Sequence, residues 1–184
     1  MTTVLIPLAQ GCEELEAVTL IDLLRRADIE VITVSLDNEV ITASRGVRLV
    51  ADISLDAFLA KPKPLDLIVL PGGLPGADNL NNDSRIIKLL QQQAKSNKYV
   101  AAICAAPKVL ATAGILVGKS ATAYPGTLEK LKSRNINIST EKVIIDGNII
   151  TSRGAGTAMD FALVLIDILQ GRSKRKEVET GLVR

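Results

Sequence analysis

Residues 99–107 of this 184-residue chain read Tyr-Val-Ala-Ala-Ile-Cys-Ala-Ala-Pro. The first five form an apolar run of the length of a buried strand, and Pro107 suits the first turn of a helix. Cys104 therefore lies where a strand turns sharply into a helix, among small side chains. This is the geometry of a nucleophile elbow, which directs a side chain across a helix N-terminus. The partial positive charge of that terminus favours thiolate over thiol.

Outward from this elbow, apolar runs alternate with stretches of helical spacing. Strands that are apolar on both faces, with helices between them, indicate a mainly parallel sheet covered on both sides. We therefore predict a single domain over residues 1–184, a flavodoxin-like three-layer α/β/α sandwich. The predicted strands are 3–8, 30–34, 65–70, 99–103 and 121–123, with antiparallel pairs 40–42/47–50 and 142–145/148–151. One predicted helix begins at Glu13, and four others cover 84–93, 108–113, 127–132 and 156–169. A last short helix is predicted to start within 172–176.

The composition excludes several functional classes. A net charge of +2 does not by itself indicate nucleic-acid binding, and 2% aromatic residues leave few platforms for base stacking. We interpret the basic residues 172–176 as a solvated helix start, with nucleic-acid contact as the minor alternative. No apolar run approaches the roughly 18 residues of a membrane span, and no N-terminal signal is evident. We expect a cytoplasmic globular protein without a membrane partner.

The chain has two cysteines, Cys12 and Cys104, and no histidine. Two cysteines with scattered carboxylates are a poor zinc set, and Gly-Lys-Ser at 118–120 lacks the earlier glycine of a phosphate-binding loop. We therefore expect neither a metal nor another cofactor. The cysteine spacing forms no disulfide framework, which fits a reducing compartment. Any chemistry at Cys104 proceeds without an imidazole base.

In an open α/β sheet the site lies beyond the carboxyl ends of the strands. Three predicted loops meet there: 10–16, 71–76 and the Cys104 elbow. Glu16 borders the inward face of the first predicted helix. A buried carboxyl group there would have a raised pKa, and its protonated form could donate a hydrogen bond to the sulfur. The alternative is that Glu16 only satisfies the helix dipole.

The neighbouring acids of the first helix have a simpler expected role. We interpret Glu13 and Glu14 as first-turn acids that satisfy the helix dipole, with Glu14 pointing away from the inward face. Cys12, in the same loop, is interpreted as a bystander or a secondary redox thiol. Cys104 itself could be a plain core thiol, but its place at an elbow favours a reactive one.

The glycine-rich segment 71–76 could bring backbone N–H groups against a substrate oxyanion, because glycine permits close approach. The amides of Gly73 and Ala105 are the natural donors, with Gly72 lining the site. Such turns are common, so the motif alone does not establish the site. Tyr124 either lies beside the site or belongs to an ordered turn before a helix.

Four segments in order resemble the ThiJ/PfpI superfamily. They are 11–16, 70–73, 101–107 and 151–157. The chain is most similar to the DJ-one branch, which includes a Parkinsonism-associated deglycase, and especially to its bacterial ThiJ-type members. The resemblance implies the flavodoxin-like fold, a homodimer, and a reactive cysteine hydrogen-bonded to a protonated glutamate. These roles fall on Cys104 and Glu16.

The resemblance also implies oxyanion contacts from Gly73 and Ala105, and anion binding by Arg45 and Arg153 near the dimer interface. One departure concerns Tyr124, which stands where many superfamily members place a histidine. A tyrosine phenol is a poor general base near neutral pH. The departure argues against peptidase-like and amidotransferase-like chemistry and leaves chemistry that needs a thiolate and a carboxyl group.

Three functional hypotheses remain open. The first is a slow cysteine-dependent glyoxalase or protein deglycase, acting on methylglyoxal-type dicarbonyls or their early protein adducts. The second is a redox-responsive stress protein or chaperone that senses peroxide by oxidation of Cys104. The third is a dimeric scaffold with a vestigial elbow. The sequence separates the first two poorly, because both use Cys104 and Glu16.

Overall fold

The computed structural model describes residues 1–37 and 40–184, with the backbone alone for 132–134. Its centre is a seven-stranded sheet in the order β10-β11-β7-β6-β1-β2-β5. All neighbouring strands pair in parallel except β10 and β11, which form an antiparallel hairpin. The strands of this sheet are β1 (Thr3–Leu8), β2 (Glu30–Ser35), β5 (Ile53–Ser54), β6 (Leu67–Leu70), β7 (Tyr99–Ile103), β10 (Val143–Asp146) and β11 (Ile149–Ser152).

Seven α-helices are described, and the sheet separates the protein interior into two apolar cores. Helices α1 and α6 contribute to one core, and α4 and α5 contribute to the other. Within β1, Val4 and Ile6 belong to the first core and Leu5 to the second, because successive side chains of a strand point to opposite faces. The helices are α1 (Glu14–Arg26), α2 (Leu55–Ala60), α3 (Gly76–Asn82), α4 (Ser84–Lys95), α5 (Pro107–Thr112), α6 (Ala158–Gln170) and α7 (Arg172–Gly181).

This arrangement confirms the predicted three-layer α/β sandwich with a mainly parallel sheet. The hairpin predicted around 40–50 is present as β3 (Ile41–Thr42) and β4 (Arg48–Leu49). The strand predicted at 121–123 is instead β8 (Ser120–Ala121), which pairs with β9 (Asn137–Ile138) outside the main sheet. In the described part of the chain, none of the helices is long and apolar enough to cross a membrane.

Several predicted helices differ in detail. Helix α6 begins at Ala158 rather than Gly156, because a 3₁₀ turn, Ala155–Thr157, precedes it and the Thr157 hydroxyl bonds back to the Gly154 carbonyl oxygen. The helix predicted at 127–132 is a 3₁₀ helix over Glu129–Arg134. Helices α2 and α3 were not predicted, since each is short and α3 begins at a glycine and carries asparagines, which are poor helix formers.

Candidate active site

Cys104 occupies a sharp turn between β7 and α5. Its φ angle is +64°, a left-handed conformation that is uncommon for a residue with a side chain. Its N–H donates to the Ser152 carbonyl oxygen at 3.0 Å, and its carbonyl oxygen accepts the Tyr124 N–H at 2.8 Å. Helix α5 then begins at Pro107. The conformation is the one expected of an elbow, and it leaves the Cys104 side chain partly exposed.

The glycine-rich loop lies directly against this elbow. A Cβ atom on Gly72 would lie 2.7 Å from the Cys104 Cβ and 2.8 Å from the Ile103 carbonyl oxygen. Gly73 has a φ angle of +86°, and a Cβ there would lie 2.3 Å from the Glu13 nitrogen. Because only glycine leaves room at both positions, the loop can approach the cysteine and the start of α1 together.

Glu16 places a carboxyl group inside the protein. The residue is fully buried, and its Oε2 accepts the Gly72 N–H at 2.8 Å. Its Oε1 is buried and accepts no hydrogen bond of standard geometry from the described residues. Burial raises the pKa of Glu16 to about 7, although the Gly72 amide and the Cys104 thiol act in the opposite direction. Near neutral pH this carboxyl group therefore exists in both protonation states.

The Cys104 thiol is coupled to this carboxyl group. Burial raises the pKa of Cys104 to about 12, and the charge and hydrogen bonding of Glu16 add to the rise. Hydrogen bonding by the backbone of Gly73 and Ala105 lowers the thiol pKa. This result differs from the sequence expectation that the helix N-terminus would stabilise a thiolate, because burial and the Glu16 carboxylate outweigh it. A thiolate forms here most readily when its proton passes to Glu16.

A cleft of about 330 Å³ opens beside the thiol. It brings together most of the residues singled out in the sequence, including both members of the coupled pair and the two expected amide donors. Gly72 lies behind Cys104, as the contacts above show. The predicted site residues that line the cleft are Glu16, Arg45, Gly73, Cys104, Ala105 and Tyr124. The cleft is also lined by five residues that were not predicted to do so: Glu13, Ser44, Leu74, Thr127 and Ala155.

Arg153 does not line this cleft. Its Nη1 donates to the Thr140 carbonyl oxygen at 2.9 Å. Arg45 does line the cleft, and its Nη1 donates to the Ser44 carbonyl oxygen at 3.3 Å. Within this chain the two arginines expected to bind one anion therefore do not share the cleft.

Glu14 lies in the first turn of α1, as expected, but it also has a second set of partners that the helical spacing did not indicate. It is buried, and its Oε1 accepts the Arg45 N–H at 2.9 Å while its Oε2 accepts the Ser44 hydroxyl at 3.0 Å. Burial alone would raise the pKa of Glu14, but these hydrogen bonds and others from the α1 and Val47 backbone hold it below its usual value. These partners arise because the turn residues 44–47 fold over the start of α1, where the Glu14 carboxylate accepts their hydrogen bonds.

Cys12 is a core residue. Its exposed fraction is 0%, and its carbonyl oxygen accepts the Ser44 N–H at 2.8 Å. Burial, with a smaller contribution from the Glu14 charge, raises the pKa of Cys12 to about 11. Of the two interpretations offered by the sequence, the bystander fits this environment. Among the residues that the structure describes, no group of three or more His, Cys, Asp or Glu side chains could hold a metal ion.

The DJ-1/PfpI family matches residues 2–168. The chain belongs to the DJ-1/PfpI family. Drosophila melanogaster protein dj-1beta is 43% identical over 180 residues, which cover 97% of this chain and 95% of that protein. The crystal structure of Drosophila melanogaster DJ-1beta superposes with a TM-score of 0.93 at 40% identity, covering 99% of this chain and 97% of that one. The DJ-1/PfpI fold is therefore shared over almost the whole chain.

Two further DJ-1/PfpI relatives bear on length and activity. Arabidopsis thaliana protein DJ-1 homolog B is 46% identical over 173 residues, which are 93% of this chain but 39% of that protein. This chain thus spans less than half of that plant relative. Caenorhabditis elegans glutathione-independent glyoxalase DJR-1.2 is 34% identical over 165 residues, covering 90% of this chain and 87% of that protein. A relative of nearly the same length thus bears the name of a glyoxalase.

Proposed function

We propose that this protein is a glutathione-independent glyoxalase that converts 2-oxo aldehydes such as methylglyoxal to 2-hydroxy acids, with early protein adducts of the same aldehydes as further substrates. The observation that carries the proposal is the buried Glu16 carboxyl group coupled to the Cys104 thiol. A relative named as a glutathione-independent glyoxalase supports it. Glu16 is the ionisable side chain whose charge acts most strongly on the Cys104 pKa.

The reaction begins with addition of the Cys104 sulfur to the aldehyde carbon. The thiol proton passes to Glu16 and from there to the aldehyde oxygen as the C–S bond forms, which gives the hydroxyl of a hemithioacetal and leaves Glu16 as a carboxylate. The amides of Gly73 and Ala105, which already act on the sulfur, are the donors available to that oxygen. Both are backbone groups held by the elbow and the glycine loop, so they need little reorganisation when charge develops.

The second stage is an internal redox change. The Glu16 carboxylate removes the proton from the former aldehyde carbon to give an enediolate. The hydroxyl proton of that carbon passes to the oxygen of the neighbouring carbon, and Glu16 returns its proton to the neighbouring carbon itself. The first carbon is thereby oxidised to a thioester and the second is reduced to an alcohol. Water then adds to the thioester, the C–S bond breaks, the 2-hydroxy acid leaves, and the Cys104 thiol is regenerated. A pKa of about 7 suits a group that both accepts and donates a proton.

The proposal includes a homodimer and a reducing compartment such as the cytoplasm. Exposed apolar side chains on α1 support an interface, since Leu15 and Val18 are 51% and 46% exposed. The reaction needs Cys104 in its reduced form, which a reducing compartment maintains. We expect slow turnover, because the chain has no histidine to add general acid–base assistance, which is typically worth about 10²–10⁴-fold.

A second function, peroxide sensing, is favoured by the contrast between the two cysteines. Cys104 is partly exposed in a cleft, whereas Cys12 is fully buried. Oxidation of Cys104 by peroxide would give a sulfenic acid and, with a second peroxide, a sulfinic acid. The Gly73 and Ala105 amides and a protonated Glu16 would then hold the new oxygens. A stress-protective or chaperone role would follow from such a sensor state.

One experiment separates these functions. Methylglyoxal consumption and lactate formation are measured without glutathione for wild type, Cys104→Ser, Glu16→Gln and the control Cys12→Ala. Intact mass is recorded in parallel after mild peroxide treatment. We expect lactate from wild type and Cys12→Ala, none from Cys104→Ser, and at least a tenfold loss in Glu16→Gln.

Equal turnover by wild type and Cys104→Ser would contradict the enzymatic proposal. If wild type forms no lactate but gains two oxygens at Cys104, the sensing function replaces it. A gain of oxygen at Cys12 instead of Cys104 would contradict the sensing function, since that function places the oxidation at the cleft thiol.

A further inference from the structure

We infer that Leu74 and Tyr124 form an apolar wall of the cleft that selects substrates by their carbon substituent. The wall favours 2-oxo aldehydes carrying an apolar or aromatic group over glyoxal, whose substituent is a hydrogen atom. This inference rests on the proposed function and specifies its substrate class. Tyr124 and Leu74 are specificity-determining residues in this scheme, and neither takes part in the transfer of protons.

The two side chains leave apolar surface uncovered beside the thiol. Leu74 is 59% exposed and Tyr124 is 58% exposed, and both line the cleft that contains Cys104. A single exposed apolar side chain is ordinary on a protein surface. Two exposed apolar side chains beside one reactive sulfur can cover the apolar part of a bound molecule and remove it from water.

Tyr124 is held close to the reacting group by its backbone. Its N–H donates to the Cys104 carbonyl oxygen at 2.8 Å, and its carbonyl oxygen accepts the Thr127 N–H at 3.0 Å. A Cβ atom on Gly154 would lie 3.6 Å from the Tyr124 Cδ2, an ordinary van der Waals distance, so the ring faces Gly154 with room for one methyl group between them. The backbone hydrogen bonds therefore fix the position of Tyr124 relative to the elbow, and Gly154 bounds one side of its ring.

Leu74 is placed by the loop that supplies an amide to the sulfur. It follows Gly73, which packs against the Glu13 backbone with no room for a Cβ atom. The Gly76 N–H donates to the Gly11 carbonyl oxygen at 3.1 Å on the other side of Leu74. The backbone on both sides of Leu74 is thus fixed, and its side chain stays exposed at the cleft.

Another part of the cleft wall is polar. The Ser44 hydroxyl donates to the Glu13 carboxylate at 2.8 Å, and Arg45 lines the cleft next to it. A dicarbonyl substrate presents oxygens along one part of its length and a carbon substituent at its end. With the aldehyde carbon bound at Cys104, the substrate oxygens face the backbone amides and the polar wall. The carbon substituent then packs against the ring of Tyr124.

Alkylation of Cys104 tests the wall without requiring turnover. Iodoacetamide and its N-phenyl derivative are compared, and the ratio of their rate constants at Cys104 is divided by the same ratio for a small free thiol. We expect wild type to favour the phenyl reagent about tenfold, as burial of a ring predicts. Tyr124→Ala should reduce the preference to near unity, and Tyr124→Phe should retain it. Leu74→Ala should reduce it by about half.

Val117→Ala is the matched control, because Val117 is also 59% exposed but does not line the cleft. It should keep the wild-type preference. An unchanged preference in both Tyr124→Ala and Leu74→Ala would overturn the inference. The ratio of kcat/KM for phenylglyoxal and methylglyoxal should follow the same order among the variants. If neither aldehyde is converted while the alkylation preference depends on Tyr124, the apolar wall is supported and the glyoxalase proposal fails.

Discussion

The Oε2 atom of Glu16 lies 2.8 Å from the Gly72 nitrogen, and this hydrogen bond helps to join α1 to the loop behind Cys104. Gly72 in turn packs against the Cys104 Cβ with no space for a side chain. The carboxyl group, the loop and the elbow are therefore a single mechanical unit. A change in the charge of Glu16 acts on the thiol through its electric field and on the loop through the amide.

The first prediction concerns the pH dependence of Cys104 reactivity. The coupled pair loses one proton at about pH 7, and the remaining proton lies mainly on the sulfur, with a small thiolate fraction formed when it passes to the Glu16 carboxylate. Below pH 7 the pair takes up a second proton and the thiolate fraction falls. We expect the rate of alkylation by iodoacetamide to rise with pH, with a midpoint near 7.

Glu16→Gln should shift this midpoint to higher pH. Glutamine cannot take the thiol proton, so the sulfur titrates as a buried thiol above its ordinary value of 9.0. Cys12→Ala should keep the wild-type midpoint. A lower midpoint in Glu16→Gln would contradict the role of Glu16 as the proton acceptor, since it would show that the carboxyl group only opposes the thiolate.

The second prediction is that Glu16 lowers stability at neutral and higher pH. Its pKa is raised from 4.5 to about 7 in the folded state, so the folded protein binds more protons than the unfolded chain between these values. Stability should therefore fall as pH rises through this window. The shift corresponds to about 3 kcal/mol.

Urea unfolding at pH 5 and pH 8 measures this effect. Glu16→Gln stays neutral at this position, so its free energy of unfolding should rise by about 2.5 kcal/mol relative to wild type between the two pH values. Glu30→Gln is a control, because the pKa of Glu30 is lowered by Lys63 and Thr3 and no such gain is expected. If the free energy of unfolding changes equally with pH in wild type and Glu16→Gln, the pKa of the Glu16 carboxyl group is the same in the folded and unfolded states.

The third prediction concerns Gly72. In Gly72→Ala the new Cβ would meet the Cys104 Cβ at 2.7 Å and the Ala105 nitrogen at 2.9 Å, so backbone must move. We expect a loss of about 1–3 kcal/mol in the free energy of unfolding. Turnover should fall by at least tenfold, because the amide donor and the sulfur are displaced together.

Gly156→Ala provides the matched comparison. A Cβ on Gly156 meets nothing within 4 Å, and its φ lies outside the left-handed region. It should retain wild-type stability to within about 0.5 kcal/mol and wild-type turnover. Equal effects of the two substitutions would mean that added side-chain bulk, rather than the position of Gly72, determines the loss.

The sequence allowed the elbow, the glycine loop and most strands to be predicted because each is encoded by neighbouring residues. Glu16 could be placed because the helical period puts it beside the inward stripe of α1. Leu74 lies within the predicted loop, but its exposure depends on Pro75 and Gly76 packing against residues 11 and 12. No local pattern carries that information.

Ser44 was missed for a related reason. It is 31 residues from Glu13 and reaches the cleft only because the β3–β4 hairpin folds over α1.

Burial also determines the pKa of the Cys104 thiol. The helix N-terminus suggested a thiolate, but desolvation depends on the packed structure and raises the Cys104 pKa. The two groups of the pair, Cys104 and Glu16, could be identified from the sequence, but their relative pKa values could not.

The last prediction concerns Glu14, which holds the turn that contributes Ser44 and Arg45 to the cleft. Its carboxylate accepts the Arg45 N–H at 2.9 Å, whereas glutamine would turn an NH₂ group toward one of the same donors. We expect Glu14→Gln to raise KM for methylglyoxal severalfold with kcat changed less than about twofold, and to lower stability by about 1–2 kcal/mol. The stability loss should be present at pH 7 and shrink below pH 4.5, because the lowered pKa of Glu14 makes its contribution vanish as the folded carboxylate is protonated.

Asp22→Asn is the matched acid on the same helix. Asp22 is exposed and pairs with Arg26, so its neutralisation should change stability by less than about 0.5 kcal/mol and leave KM unchanged. Hydrogen exchange at the Arg45 amide distinguishes positioning from general destabilisation. Faster exchange in Glu14→Gln than in Asp22→Asn, together with the raised KM, supports the role of Glu14 in holding the turn. Unchanged exchange and unchanged KM would show that the turn keeps its position without the carboxylate.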